Sequence, residues 1–331
     1  MKKWLMIEIC LLVVLLIVAV WTVADISQGA FSEDDLVNET TQNTDPVDTT
    51  EGTEQTTEPP VTWATYPADR ELTAQQAFVY DCEKGEFAYL LGEQTDRVYP
   101  ASITKLFTAY VALQFLPPEE MITAGSALDL VGVGSSVAQI EKEDVLSVEM
   151  LVEAMLLPSG NDASYILADA AGRIIAEDDT LSASAAVAAF MKEVNGQLRA
   201  MGLTGTQFTN PDGYHSPDHY TTFADLVAMS EKVLANETIM KYASTAGEKV
   251  TLGQRELEWK NTNALIDPTT EYYCPYATGM KTGQTPSAGS CLLSSFDVEG
   301  RQYLIGVFGC PEIEDRFADT LQLLNETLGI E

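Results

Sequence analysis

Tyr99-Pro100-Ala101-Ser102-Ile103-Thr104-Lys105 is the stretch from which this chain is best read, because a serine and a lysine stand three apart where a helical pattern begins. Ile103, Leu106, Phe107, Tyr110 and Val111 recur at helical spacing, and the pattern stops at Pro117-Pro118. Residues three apart on a helix share a face, which sets Lys105 beside Ser102. A Ser-x-x-Lys arises by chance about once in a chain of this length at ordinary residue usage. Its weight comes from two further motifs that follow in order: Ser159-Gly160-Asn161, after a helix break at Pro158, and Lys281-Thr282-Gly283, late in the chain on a strand-like segment. A Lys-Thr-Gly alone is expected in roughly one such chain in ten.

The three motifs supply the parts of a lysine-activated serine acyl-transfer site. A serine hydroxyl is a weak nucleophile at neutral pH and needs a base within hydrogen-bond reach. Lys105 becomes that base if a cleft and a second cation lower its pKa, and the helix start favours negative charge on Ser102. Ser159 is placed on a loop to relay a proton to a leaving amine, and Asn161 to orient Lys105 and hold a substrate amide. Lys281 is the second cation, and Thr282 offers a hydroxyl to a carboxylate. Gly283 lets substrate lie close to the strand, where backbone N–H groups stabilise an oxyanion. The plain alternatives are a helix start with a surface lysine, a capping loop and a strand end; each explains one motif and none explains their order. His215 and His219, the two histidines of the chain, stand near Asp212 and Asp218. Pro217 between them disrupts the helical face that an i, i+4 metal pair needs, so they are expected to order a loop, and no metal or cofactor is expected.

Before the first motif the composition changes twice. Lys2 and Lys3 precede an uncharged run from Ile9 to Ala24. That run falls between a signal-peptide core and a membrane span in length, so residues 1–24 are expected to be an uncleaved N-terminal membrane anchor or a removed signal peptide. Either reading keeps the two lysines cytoplasmic and exports the rest. Residues 25–67, rich in Thr, Glu, Asp and Pro, cannot bury enough surface to offset their ordering entropy and are expected to form a disordered acidic stalk. The formal charge of −32 removes the basic footprint that nucleic acid requires. Cys82, Cys274, Cys291 and Cys310 lack zinc-type spacing, and Cys82, Cys291 and Cys310 fall in or beside apolar strand-like runs, which favours free thiols. Cys10 lies within the apolar segment.

Residues 68–331 are expected to fold as one domain. Gln76 to Cys82 and Phe87 to Leu91 form a hairpin around Glu83-Lys84-Gly85-Glu86. Helices are expected over Val148–Leu157 behind a Ser147 cap, Asp162–Ala176, Ser184–Met201, and from Thr222 to Leu234. Strand character returns at Thr278–Lys281, Gly289–Phe296 and Gln302–Cys310, and a last amphipathic helix covers Ile313–Leu328. Strands at both ends with helices between predict an α+β fold: an antiparallel five-stranded sheet flanked by helices, with an inserted all-helical lobe over about residues 125–205.

From Gln76 to Leu328 the chain resembles the D-alanyl-D-alanine carboxypeptidases, low-molecular-weight penicillin-binding proteins of the serine β-lactamase/transpeptidase-like superfamily. The resemblance rests on Tyr99 to Lys105, on Leu156-Leu157-Pro158-Ser159-Gly160-Asn161-Asp162-Ala163, and on Phe208-Thr209-Asn210-Pro211-Asp212-Gly213. Asn261-Thr262-Asn263 and Lys281 to Gly289 complete it. It implies a membrane-bound wall enzyme, with its catalytic domain outside the cell, that removes the terminal D-alanine of a peptidoglycan stem peptide through an acyl-enzyme on Ser102 and is acylated by β-lactam antibiotics. It further implies an oxyanion hole from the N–H groups of Ser102 and Gln284, with Thr282 and Thr285 near the substrate carboxylate. Gln284 stands where many members carry an aromatic or histidine side chain, and Thr262 where some carry arginine. A β-lactamase, a transpeptidase and a catalytically silent wall-binding or sensing module are the alternatives; no Glu-x-x-Leu-Asn element of a fast-deacylating β-lactamase is evident between the second and third motifs.

Overall fold

The computed structural model describes residues 70–329. The anchor or signal segment, the stalk and Cys10 lie outside the described residues. In chain order the elements are β1 (Gln76–Asp81), β2 (Glu86–Leu91), β3 (Arg97–Val98), α1 (Thr104–Ala112), β4 (Met121–Thr123), β5 (Val145–Ser147), α2 (Val148–Leu156), α3 (Asn161–Ala176) and α4 (Ala183–Ala200). They continue with β6 (Thr221–Thr222), α5 (Phe223–Leu234), α6 (Glu237–Ala243), β7 (Gly247–Leu252), β8 (Arg255–Lys260), β9 (Ala277–Thr285), β10 (Gly289–Val298), β11 (Arg301–Cys310) and α7 (Asp315–Leu328).

One five-stranded sheet runs in the order β2-β1-β11-β10-β9, with every pairing antiparallel. The alternation of side chains along a strand sends successive apolar residues to opposite faces. On one face Val79, Leu292, Ile305 and Val307 pack with Phe317, Leu321 and Leu324 of α7. On the other, Phe78, Leu293, Leu304 and Phe308 join Phe107, Phe223 and the remaining helices in the larger core. Covering on both sides accounts for the long buried runs of β10 and β11. Asp319 of α7 is fully buried and accepts hydrogen bonds from the backbone N–H groups of Thr73 (2.9 Å) and Ala74 (2.7 Å), which ties the entering chain to the last helix.

Local chemistry sets the helix starts. Ser147 Oγ accepts from Met150 N, Thr222 Oγ1 from Asp225 N, and Ser182, rather than the expected Ser184 region, caps α4 through Ala185 N. Helix α6 and the β7–β8 hairpin were not expected from the sequence. Arg255 of β8 bonds Gln139 O and pairs with Asp144, and the Trp259 indole N–H donates to Ala138 O at 2.9 Å. These bonds brace residues 138–144, and the carboxylate of Asp162 holds the same loop by accepting from Ala138 N (2.9 Å) and Ile140 N (3.0 Å). The loop leads back to Gly134 and Ser136, which line the functional cleft. Cys274, Cys291 and Cys310 are buried and Cys82 half-buried, and all four are free thiols in this structure.

Candidate active site

Ser102 sits on a 3-10 turn, Ala101–Ile103, that runs directly into α1. Lys105, in the first turn of α1, is fully buried, and its Nζ lies 2.7 Å from Ser102 Oγ. The same nitrogen donates to the carbonyl of Asp212 at 2.8 Å. Burial lowers the Lys105 pKa to about 8, while the carboxylates of Asp212 and Asp162 pull it upward. A neutral amine has two N–H groups and one lone pair. With one N–H on the Asp212 carbonyl, the lone pair is free to take the Ser102 proton.

Lys281 is also fully buried, and its Nζ contacts Thr262 Oγ1 at 3.1 Å and the Thr282 carbonyl at 3.3 Å. Burial, then repulsion from Lys105 and Arg316, holds its pKa well below the ordinary range. Of the two causes expected from sequence for Lys105, enclosure in the cleft acts and the second cation does not. Burial lowers Lys105, and the repulsion between the two amines falls on Lys281. Thr282 Oγ1 is 2.6 Å from Thr262 Oγ1, so a threonine pair stands beside the Lys281 amine.

The remaining expected residues converge on the same cleft. One compartment, of about 530 Å³, touches Ser102, Ser159, Thr282, Gly283, Gln284 and Thr285. A second, of about 440 Å³, shares Ser102, Gln284 and Thr285 and adds Asn161, Asp212 and Tyr214. Among the described residues, Ser159 Oγ makes no hydrogen bond to Ser102 or Lys105. Asn161 does not bond Lys105 either: its Nδ2 donates to Asp212 Oδ2 at 2.6 Å, so the main chain of Asp212 takes the orienting role assigned to Asn161 from sequence. Ala101 (φ 47°), Ser159 (φ 62°) and Met280 (φ 86°) all adopt left-handed backbone, one at each motif. Such conformations cost on the order of 1–3 kcal/mol each and persist where surrounding structure enforces them.

Two glycines bring main chains together behind the nucleophile. A Cβ on Gly213, whose φ is +81°, would lie 1.8 Å from Ala101 O, and one on Gly283 would lie 2.6 Å from Pro100 O. Gly213→Ala is expected to lower stability by about 3 kcal/mol or more. In a urea titration its midpoint falls, and the surviving folded fraction acylates poorly because the Ser102 turn has shifted; an unchanged midpoint contradicts this packing.

Sequence reasoning passed over several cleft residues, among them Arg316, Ser290 and Asp212. Arg316 of α7 is 6% exposed and forms no ion pair with a carboxylate among the described residues, and burial lowers its pKa to about 10, which leaves it cationic. Its Nε, the Ser290 hydroxyl and Asn161 Oδ1 are buried without hydrogen-bond partners, and all three residues line the cleft. Buried polar groups are nearly always satisfied, so such a concentration of orphans marks where a polar ligand sits. Asp212, which the sequence placed near His215 and His219 and within the motif Phe208 to Gly213 but gave no role in the cleft, also lines it. A signal for Arg316 was available: it stands with Thr320 and Leu324 on a buried side of the last helix.

His219 is buried, and burial lowers its pKa to about 3, so it is neutral. Its Nδ1 accepts from Thr209 N at 3.1 Å, which leaves Nε2–H to donate to Thr104 Oγ1 at 2.8 Å. The imidazole thus fastens the loop of Asp212 to the nucleophile helix. Among the described residues no cluster of His, Cys, Asp or Glu is arranged to hold a metal ion.

The sequence profile of the family described as D-alanyl-D-alanine carboxypeptidase matches residues 61–311. The D-alanyl-D-alanine carboxypeptidase DacF of Bacillus subtilis (strain 168) is 26% identical over 256 residues, 76% of this chain and 61% of that protein. The chain thus spans less than two thirds of that relative's length. The crystal structure of the Streptomyces K15 DD-transpeptidase superposes with a TM-score of 0.70 at 26% identity, covering 81% of this chain and 100% of that one. The structure of penicillin-binding protein D2 from Listeria monocytogenes, in its cefotaxime-bound form, superposes with a TM-score of 0.64 at 26% identity, covering 78% of this chain and 99% of that one.

Proposed function

Because the chain belongs to the D-alanyl-D-alanine carboxypeptidase family, we propose that it removes the terminal D-alanine from peptidoglycan stem peptides through an acyl-enzyme on Ser102. The observation that carries this reading is the contact of 2.7 Å between Ser102 Oγ and a buried Lys105 amine, at the junction of two cleft compartments.

Lys105 Nζ takes the Ser102 proton as Oγ attacks the carbonyl of the D-alanyl-D-alanine bond. The oxyanion is held by the N–H groups of Ser102 and Gln284. The protonated Lys105 amine passes that proton by way of the Ser159 hydroxyl to the leaving amine, the C–N bond breaks, and D-alanine departs with Lys105 neutral again. Water then attacks the ester with the same amine as base, releasing the shortened peptide and restoring Ser102. Thr282, Thr285 and the fixed charge of Arg316 receive the terminal carboxylate in the larger compartment, and the acyl arm lies toward Asn161 in the other. A β-lactam is expected to acylate the same Ser102 oxygen and to remain as a long-lived ester. Transfer to an amine acceptor would use the same acyl-enzyme, as the activity named for the Streptomyces relative requires.

In this reading residues 1–24 hold the protein at the outer face of the cytoplasmic membrane and residues 25–67 act as its tether. Among the described residues no helix is long and apolar enough to cross a membrane. Incubating the purified protein with a pentapeptide ending in D-alanyl-D-alanine is expected to release free D-alanine and leave a tetrapeptide. No release between pH 6 and pH 9, with β-lactam bound but unreacted, would instead support a silent binding module.

A further inference from the structure

The carboxylate of Asp212 is 1% exposed and faces the reaction centre from behind. One oxygen accepts from Asn161 Nδ2 at 2.6 Å, the other from Tyr214 N at 3.3 Å, and the carbonyl of the same residue receives Lys105. Burial raises the Asp212 pKa, and the charge of Lys105 and the backbone N–H groups oppose that shift; as a carboxylate it only accepts, and the Asn161 nitrogen then faces it. The amide oxygen is then turned away from Asp212, buried and unpartnered, in a residue that lines the cleft.

We propose that Asp212 is a positioning residue for acylation: its side chain fixes the Asn161 amide with the oxygen toward the cleft as an acceptor for a substrate N–H, while its charge beside Lys105 sets the pH at which that amine becomes a base. The inference rests on the proposed function above. It names two dependencies that a merely structural aspartate would not have. The first is orientation. An asparagine at 212 offers either an oxygen or a nitrogen to Asn161, so the outward acceptor is no longer enforced. The second is electrostatic. The charged or titratable groups near this pair are Asp162, Lys281, His219, His215 and Tyr165. Asp162 is saturated by backbone N–H groups, and His219 is neutral. Lys281 is held toward its neutral form by burial, and His215 lines the same compartment as Asp212. The pKa of the Tyr165 phenol is raised by burial and by the Asp212 charge itself, which keeps it neutral. Asp212 is therefore the main removable negative charge facing Lys105.

The test measures acylation of the full-length chain by benzylpenicillin across pH 5.5 to 9.5, with the adduct followed by mass spectrometry. Asp212→Asn is expected to lower the second-order acylation constant about tenfold at the optimum. It should also move the acid limb about one unit lower, because removing an anion makes the amine easier to deprotonate. Asn161→Asp sets two carboxylates against each other and is expected to lose about a hundredfold. The exchanged pair Asn161→Asp with Asp212→Asn keeps the charge count, restores a donor facing an acceptor, and should regain at least about tenfold over the single Asn161→Asp chain. An Asp212→Asn protein with wild-type rate and acid limb overturns the inference. If Asp212→Asn does not fold, absence of recovery in the exchanged pair overturns it. A wild-type chain that forms no adduct overturns the proposed function itself, an outcome distinct from acylated wild type with indifferent variants.

Discussion

Ser102→Ala forms no covalent adduct with benzylpenicillin and releases D-alanine from a D-alanyl-D-alanine pentapeptide at a rate lowered by about 10,000-fold or more. The expectation follows from the division of labour in the cleft. Lys105, Ser159 and the oxyanion donors act only on a bond that Ser102 Oγ has begun to form, so removing that oxygen removes the covalent route entirely. Binding groups remain, and the variant should still retain peptide with a KM or Kd within a few-fold of wild type. That separation of chemistry from binding is the diagnostic. Intact-protein mass spectrometry reads the adduct, and an Ser102→Ala protein that still gains the mass of the antibiotic would locate the nucleophile elsewhere.

Lys105→Ala is expected to cost about 1,000-fold in acylation, within the range that a positioned general base supplies. Its pH dependence carries more information than its size. Acylation needs the neutral amine, and burial sets the Lys105 pKa at about 8. The wild-type rate should therefore rise about tenfold per pH unit below that value and level above it. In Lys105→Ala the limb near pH 8 should vanish, leaving a slope set by hydroxide or by other groups. Lys105→Arg keeps a cation that cannot deprotonate and should behave like the alanine variant, which separates base catalysis from simple charge stabilisation. A normal limb near pH 8 in either variant would assign the titration to another group. Stopped-flow acylation with a chromogenic cephalosporin measures all three.

The sequence carried the sheet and the motif residues because both follow short-range rules. The near-continuous apolar runs Gln302–Cys310 and Gly289–Phe296 suffice for strands buried on two faces. Ser102 and Lys105 meet because three residues on a helical turn is a local distance. The β7–β8 hairpin escaped because its strands are rich in Glu and Lys, residues depleted in strands, and its apolar positions Val250, Leu252, Leu257 and Trp259 alternate over a turn at Gly253 too short to stand out. The contact of Asn161 with Asp212 escaped for another reason. It joins residues 51 apart through a loop whose path no periodicity encodes. Arg316 is the extreme case: a polar residue on a buried helix side reads as a packing irregularity until the cleft beneath it is known.

The sheet order has a consequence for how the protein is made. Strand β1 pairs with β11, and the strand bearing Lys281 reaches the nucleophile only at the far side of β10. A ribosome that has delivered residues through Gly213 has already released the serine, its amine and their supporting loop. The wall of the cleft formed by Thr282 and Arg316 cannot assemble until β9 and α7, which both follow that loop in the chain, have been made. A polypeptide in which α7 has not yet packed against the sheet lacks that wall and is expected to acylate poorly.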